Sequence, residues 1–299
     1  MEFRTLQYFL AVAREENMTA AARILHISQP ALSYQIKELE EELQTQLFIR
    51  SGRRLVLSED GLFLKSRAEE ILSLCEKTKE DLVSGTSDIY GDIYIGAAES
   101  RGMETVAKVV TSVRREHPNI RFHFHSGNLD DVYERLSRGV LDFAVLLEPV
   151  SYSNFESIVL PGADRMGIVI RRDHPLAEKK EVCAEDLYDL PLFLSSRTNM
   201  PEKVFADMMH MPRERLKVAG TGNLPMNLGI MAEQGAGGFV SLEGLVSTGP
   251  DSPLVFLPFS PAIERRLLFV WKQSRPFSKA AALFLERVSE VIVQTRTDR

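Results

Sequence analysis

Cysteine is almost missing from this chain, with two residues, Cys75 and Cys183, in 299. Two thiols cannot build a disulfide framework or a cysteine-based zinc site, so a small stapled scaffold is excluded. No uninterrupted run of about 18 apolar residues occurs, which excludes a membrane-spanning helix. The opening Met1-Glu2-Phe3-Arg4-Thr5 lacks the basic stretch and apolar run of a secretory leader, and a cytoplasmic protein is the expectation. Surplus positive charge is missing too: 36 Lys and Arg face 42 Asp and Glu, a net charge of −6. That balance argues against indiscriminate polyanion binding. Internal repeats and low-complexity tracts are absent. So are a Ser/His/Asp order, a zincin helix and a P-loop. The stretch Gly96-Ala-Ala-Glu-Ser-Arg101 has only one of the glycines that a dinucleotide-binding turn needs. Neither catalysis nor a cofactor is expected.

What is present divides along the chain. The first 58 residues balance seven basic against seven acidic side chains, so any role for charge there depends on position. Leu6, Phe9, Leu10 and Ala13 recur at helical spacing. Thr19, ahead of Ala20-Ala21-Ala22, reads as the cap of a short helix ending near Leu25, and Ser28 as the cap of a longer one with Pro30 in its first turn. Leu32, Ile36, Leu39 and Leu43 form that helix's apolar stripe. Segments 47–50 and 54–57 predict a short hairpin. Residues 60–84 predict one long helix in which Leu64, Ala68, Ile71, Cys75, Thr78 and Leu82 alternate at spacings of four and three, a heptad seam. From residue 88 strand and helix patterns alternate, the mark of an α/β fold. Strands are expected at 93–96, 121–125, 142–147, 165–170, 192–194, 217–219, 238–242 and 267–271. Helices are expected at 103–117, 129–138, 200–209, 225–233 and 279–294.

Residues 19–43 have the spacing of a helix-turn-helix, whose second helix lies in the DNA major groove. The chemistry suits that role. Gln29 can pair bidentately with adenine, Ser33 can donate or accept, and Lys37 can reach phosphate or guanine. Thr19, Ser28, Pro30 and Tyr34 share the surface, while Arg50, Arg53 and Arg54 on the hairpin would hold the backbone as a wing. The acidic run from Glu38 to Glu42 reads as a solvated helix end that turns the Gln29 end toward DNA.

These residues carry a resemblance. Ala21-Ala22, Leu25, Ser28-Gln29-Pro30-Ala31-Leu32-Ser33, Leu39-Glu40, Leu47-Phe48, Arg50 and Gly61 closely resemble the N-terminal signature of the LysR-type transcriptional regulators. Gly91–Gly96, His117-Pro118-Asn119-Ile120, Gly139–Asp142, Asp173–Ala177 and Gly235–Gly238 look like that family's later landmarks. Departures are Asn17-Met18-Thr19 for a usual Ser-Phe-Thr, Gln44 for a usual Gly and Ser58 for a usual Thr. The resemblance implies a winged helix-turn-helix over 1–58, a dimerising linker helix over 59–87 and an effector-binding domain over 88–299. That last domain would be similar to periplasmic solute-binding proteins, with subdomain I at 88–161 and 266–299 and subdomain II at 162–265. The implied partners are double-stranded operator DNA, a small-molecule effector, a homodimer or dimer-of-dimers tetramer and, for an activator, RNA polymerase.

Ligands of open α/β sheets bind beyond the carboxyl ends of the strands. Those ends here offer Ser100 and Arg101, Ser126-Gly127-Asn128, Ser196-Arg197-Thr198 and Thr221-Gly222-Asn223. Hydroxyls, amides and two arginines suit a small organic anion, with Glu99 opposing it. Other features read more plainly. His117, His123 and His125 are taken as structural rather than metal-ligating, and Cys183 as an ordinary thiol. Gly235–Gly238 reads as a helix end and turn, Asp130-Asp131 as first-turn acids, and Met208, Met209 and Met211 as core. If the helix-turn-helix reading holds, Arg53→Ala weakens binding to every DNA sequence, whereas Gln29→Ala relaxes preference at one base pair. Gel-shift titration against operator variants separates these outcomes, and parent-like binding by both variants would sink the reading.

Overall fold

The computed structural model describes residues 1–51, 54–83, 89–148, 154–195, 202–273 and 276–297, without the side chains of 51, 54, 77, 80–83 and 296–297. Its chain divides into two units, Met1–Gly85 and Thr86–Arg299. In the first unit, α1 (Phe3–Glu15) ends where Glu16 takes a left-handed conformation. The next helix, α2 (Met18–Ile24), is capped by Asn17, whose Oδ1 accepts from the backbone N–H groups of Thr19 and Ala20 at 2.9 and 3.0 Å. Thr19 is therefore inside the helix rather than its cap. Asn17 stands one position ahead of the helix, where a short side-chain carbonyl reaches the free N–H groups of the first turn.

Ser28 does cap α3 (Gln29–Leu43), accepting from Ala31 N–H at 3.3 Å. At the far end Gln44 adopts φ +53° without the help of glycine. The hairpin β1 (Phe48–Ser51) and β2 (Arg54–Leu57) follows, and then α4 (Glu59–Val83). Leu6, Phe9, Val12, Ala21, Leu32 and Ile36 close one core, with Phe9 and Phe48 rings 5.3 Å apart.

Two expectations change in this unit. Leu64 and Ala68, the first members of the heptad seam, are buried in this core with Ile71 packed against it. Among the described side chains of α4, the large apolar ones left exposed are Leu62, Phe63 and Leu74. Glu40 is no idle member of a solvated acidic run either. Its Oε1 accepts from Leu47 N–H at 2.7 Å and Phe48 N–H at 3.1 Å, bonding α3 to the first strand of the hairpin.

The second unit holds two sheets. The first uses β3 (Gly91–Ala97), β4 (Ile120–Ser126), β5 (Phe143–Leu147) and β6 (Phe155–Val159), with α5 (Met103–Glu116) and α6 (Leu129–Ser137) between its parallel strands. The second uses β7 (Asp164–Arg171), β8 (Pro191–Ser195), β9 (Lys217–Gly222), β10 (Gly238–Leu242), β11 (Leu254–Pro258) and the short β12 (Glu264–Arg265). Its helices are α7 (Glu202–Met208) and α8 (Pro225–Glu233). Then β13 (Leu267–Lys272) and α9 (Lys279–Thr297) return to the first sheet.

Strand order is β4-β3-β5-β13-β6 in the first sheet and β11-β7-β10-β8-β9 in the second, with β12 on β7. The chain thus passes between sheets at residues 160–163 and again at Arg266. Buried Asp142 locks the first sheet, accepting from Tyr94 N–H at 2.9 Å while its own N–H donates to the Tyr94 carbonyl at 2.8 Å. Phe143, Phe269 and Phe284 cluster in the core with centroids 5.0 to 6.0 Å apart, the first two stacked and Phe284 tilted or edge-on to them.

Glu40→Ala leaves two backbone N–H groups of the hairpin without their acceptor, and a loss of about 1–3 kcal/mol is expected. Urea unfolding of the full chain, followed by a probe in the first unit, measures it. Unchanged stability would show that water replaces the carboxylate.

Candidate functional sites: a helix surface and two inter-sheet cavities

In the first unit, Gln29, Pro30, Ser33, Tyr34 and Lys37 lie along one side of α3, at positions separated by one helical turn. Gln29, Pro30, Tyr34 and Lys37 are exposed, and Ser33 is half-buried. The polarity changes along this side. Its leading end is neutral, whereas Lys37 pairs with Glu41 at 3.3 Å and Gln35 donates to Glu38 at 3.0 Å. A hydrogen bond to Glu38, with the charge of that carboxylate, holds the Tyr34 phenol above its ordinary pKa. Ser28 is occupied as a cap, and Thr19 is exposed on α2. Arg50 is exposed on β1. Arg53 lies outside the described residues, and only the backbone of Arg54 lies within them.

In the second unit the residues expected around one ligand divide between two cavities. A cleft of about 780 Å³ is lined by Ser100, Arg101 and Ser126 from strand ends of the first sheet, and by α8 opposite. A smaller cavity of about 270 Å³ takes Gly222 and Asn223. Three residues reach neither lining. Asn128 caps α6 through Oδ1, accepting from Asp131 N–H at 2.9 Å. Gly127 donates its N–H to the Ala97 carbonyl at 3.2 Å, closing the turn, and Thr221 stays on β9. Ser196, Arg197 and Thr198 lie outside the described residues.

Ser100 and Arg101 are both engaged. Ser100 donates to Asp164 and accepts from Gly102 N–H at 2.9 Å, so the start of α5 in the first sheet is tied to β7 in the second. Burial raises the Asp164 pKa, against the pull of Ser100, the Gly102 N–H and Arg101. Arg101 itself is ion-paired with Glu104, so its charge is largely answered before any ligand arrives.

The cation of the smaller cavity is one that sequence reasoning missed. Arg265, on β12, lines it and is half-buried, and its Nη2 contacts the Met208 sulfur at 3.0 Å. Among the described residues no carboxylate pairs with it. A thioether is a weak acceptor, so the guanidinium keeps most of its hydrogen-bonding capacity. Ser195 and Asn223 share this lining, over a floor that includes Met166 and Leu228. The visible signal was position, since Arg265 stands where the chain crosses back to the first sheet, whereas strand ends before helices drew attention elsewhere.

Two of the histidines, His123 and His125, are held by carboxylates. His123 Nε2 lies 2.8 Å from Asp92 and its ring stacks on Tyr94, while His125 bonds Asp131. Partial burial raises the Asp131 pKa, but hydrogen bonds from His125 and Arg135 outweigh it and leave that carboxyl below its usual range.

Residues 88–292 match the family model of the LysR substrate binding domain, and residues 3–62 that of the bacterial regulatory helix-turn-helix protein, lysR family. Among curated proteins, the chain is 27% identical over 295 residues to the HTH-type transcriptional regulator YvbU of Bacillus subtilis, covering 97% of this chain and 99% of that one. It is 26% identical over 290 residues to a protein of Trichormus variabilis assigned as a RuBisCO transcriptional regulator, covering 95% and 86%. Among solved structures, the regulator CbnR complexed with its target DNA superposes with a TM-score of 0.74 at 19% identity, covering 97% of this chain and 100% of that one. Full-length OxyR of Pseudomonas aeruginosa gives 0.56 at 22%, covering 98% and 99%. These superpositions bear on the fold.

Folded protein holds the Asp164 proton to higher pH than the unfolded chain does. Stability from this residue is therefore lost as pH rises from the ordinary carboxylate value, about 4, through the raised one. Asp164→Asn removes that loss, so its melting temperature gains on the parent's as pH rises above the ordinary carboxylate value, about 4. Parallel melting curves across that window would show that Asp164 does not titrate there.

Proposed function

The chain belongs to the LysR family of DNA-binding transcriptional regulators, and from that membership we propose how its own residues divide the work. In the first unit α3 enters the major groove by its Gln29 end, with Ser33, Tyr34 and Lys37 following along the groove. Thr19, Ser28 and Pro30 lie at the entry, and Arg50, Arg53 and Arg54 hold phosphate beside it. The acidic end around Glu38 and Glu41 is repelled by the backbone, which supports this polarity. Two-fold pairing of copies through α4 supplies the second reading head, and the exposed Leu62, Phe63 and Leu74 support that part of the reading. A protein with this partner works in the compartment that holds the DNA, which is the cytoplasm of a bacterial cell.

The effector is a small organic anion held between the two sheets of the second unit. Arg265 carries this reading: it is a half-buried guanidinium without a carboxylate partner among the described residues, and the one acid of the cavity's described lining, Glu148, is ion-paired with Arg266 at 2.8 Å. A carboxylate accepts two parallel N–H bonds from such a fork. Asn223 and Ser195 add a donor and a hydroxyl, and the apolar floor takes the ligand's body. Gly222 stands at the same edge, with Ser100, Arg101 and Ser126 across the neighbouring cleft. We read the protein as one that binds its effector without transforming it, because the lining holds no histidine to activate Ser195 or Ser241. An anion that grips one arrangement of the sheets better than another shifts their population, and its differential affinity limits the response.

A thermal-shift panel of small carboxylic acids on the full-length protein tests this. At a hundredfold its dissociation constant a ligand adds about 2.7 kcal/mol, which raises the melting temperature by roughly 5–10 °C. The expected hit is an acid whose shift disappears in Arg265→Leu. A shift that survives that substitution, or a panel in which only uncharged compounds act, overturns the anion reading.

A further inference from the structure

Two cavities lie between the sheets of the second unit, and the wall that keeps them apart is thin. Among the described residues only Pro225 and Leu245 line both. A side chain that faces two cavities at once stands between them. Pro225 opens α8, where its ring fixes its own backbone. Leu245 belongs to the connection 243–253, which leaves β10 and leads to β11. It is half-buried and packs against the main core of the unit.

That connection is fastened at both ends. At its start the Glu243 N–H donates to the Arg165 carbonyl at 3.0 Å. At its far end Arg172, just beyond β7, donates Nε to the Ser252 carbonyl at 2.8 Å and Nη2 to the carbonyls of Gly249 and Leu254 at 2.5 and 3.0 Å. The neighbours of Leu245 are held as well. Gly244 has φ +77°, and a Cβ added there would lie 3.1 Å from Cδ of Arg101, so the backbone passes close against that side chain. Val246 packs with Leu228 of α8 and Leu254 of β11. Leu245 is thereby a partition supported from both sides, not the tip of a free loop.

The spaces it divides are unequal, about 270 Å³ around Arg265 and about 780 Å³ in the cleft. A cavity of roughly 150 Å³ accommodates benzene, so the smaller space takes one ring, or a branched chain of like size, together with a carboxylate. An acid with a longer body runs into Leu245. Beyond that side chain the cleft continues past Ala97, Ala98 and Ser100. We propose that Leu245 sets the size limit of the effector, so that the cavity of Arg265 selects a compact carboxylic acid and turns longer homologues away. This rests on the reading of that cavity as the effector site and adds to it the class of acid. Shortening Leu245 gives a long acid the room of the cleft and leaves Arg265 untouched.

Isothermal titration of the full-length protein with phenylacetate and 6-phenylhexanoate, each beside its primary amide, tests this. The parent is expected to bind phenylacetate at least about tenfold more tightly than 6-phenylhexanoate, within the range by which an apolar pocket discriminates on size. Leu245→Ala brings the two acids to within about threefold of each other, whereas Leu245→Met, which keeps the volume, behaves as the parent. Circular-dichroism melts check that each variant folds, and Leu245→Val makes the same comparison with a smaller opening if Leu245→Ala does not. Parent binding that ignores body length, an unchanged preference in the folded shortened variant, or binding of none of the four probes overturns the proposal. Amides that bind as well as their acids overturn the anion reading alone, and a length preference among them that the shortened variant relaxes supports the partition.

Discussion

Two short connections, residues 160–163 and Arg266, join the sheets of the second unit, and the behaviour of that unit depends on them. Leu160 and Leu267 are buried, whereas Gly162, Ala163 and Arg266 are exposed, so each connection is anchored in the core at one end only. Between them β12 lies antiparallel on β7, with Arg265 opposite Asp164. The same few residues therefore hold the sheets together, supply the cation of one cavity and, through Asp164 and Ser100, fasten the start of α5. A ligand that touched Arg265, as proposed, would sit beside one of the two connections between the sheets.

Charge is distributed with a similar economy. Most arginines around the candidate sites already have carboxylate partners: Arg101 with Glu104, Arg266 with Glu148 and Arg171 with Asp173. Exposed pairs of this kind contribute little to stability. Their larger effect here is to engage most of the cations, leaving Arg265 as the arginine of the smaller cavity without a carboxylate partner among the described residues. On α3 the pairing of Lys37 with Glu41 does the same, concentrating neutral hydrogen-bonding groups at the leading end.

Much of this was legible in the sequence. Strong periodicity placed α1, α3, α5 and the buried β5 close to their observed bounds, and Ser28 was a readable cap. Local signals failed where a neighbour decided the outcome. β6 alternates poorly, as Phe-Glu-Ser-Ile-Val on a sheet edge, and β11 ends in Pro258, which cannot donate to a ladder. Both form because β13 and β7 offer them open edges. Glu40 resembled its acidic neighbours until the hairpin arrived beside it. Of the residues the strand-end rule singled out, Ser100, Arg101, Ser126, Gly222 and Asn223 line cavities, but the rule could not tell that two cavities divide them, since that depends on how one sheet faces the other. Arg265 was hidden for the same reason.

The bond from Glu40 to the hairpin has a mechanical side. The carboxylate holds Leu47 and Phe48 while the shared core holds Leu39, so α3 and the start of the hairpin are fastened at two points. On the proposed reading, in which α3 enters the groove and the hairpin holds phosphate, the two are presented together, and a DNA segment of unsuitable width has to deform to meet both. Selectivity follows at base pairs that no side chain touches, set by how readily each sequence bends to do so.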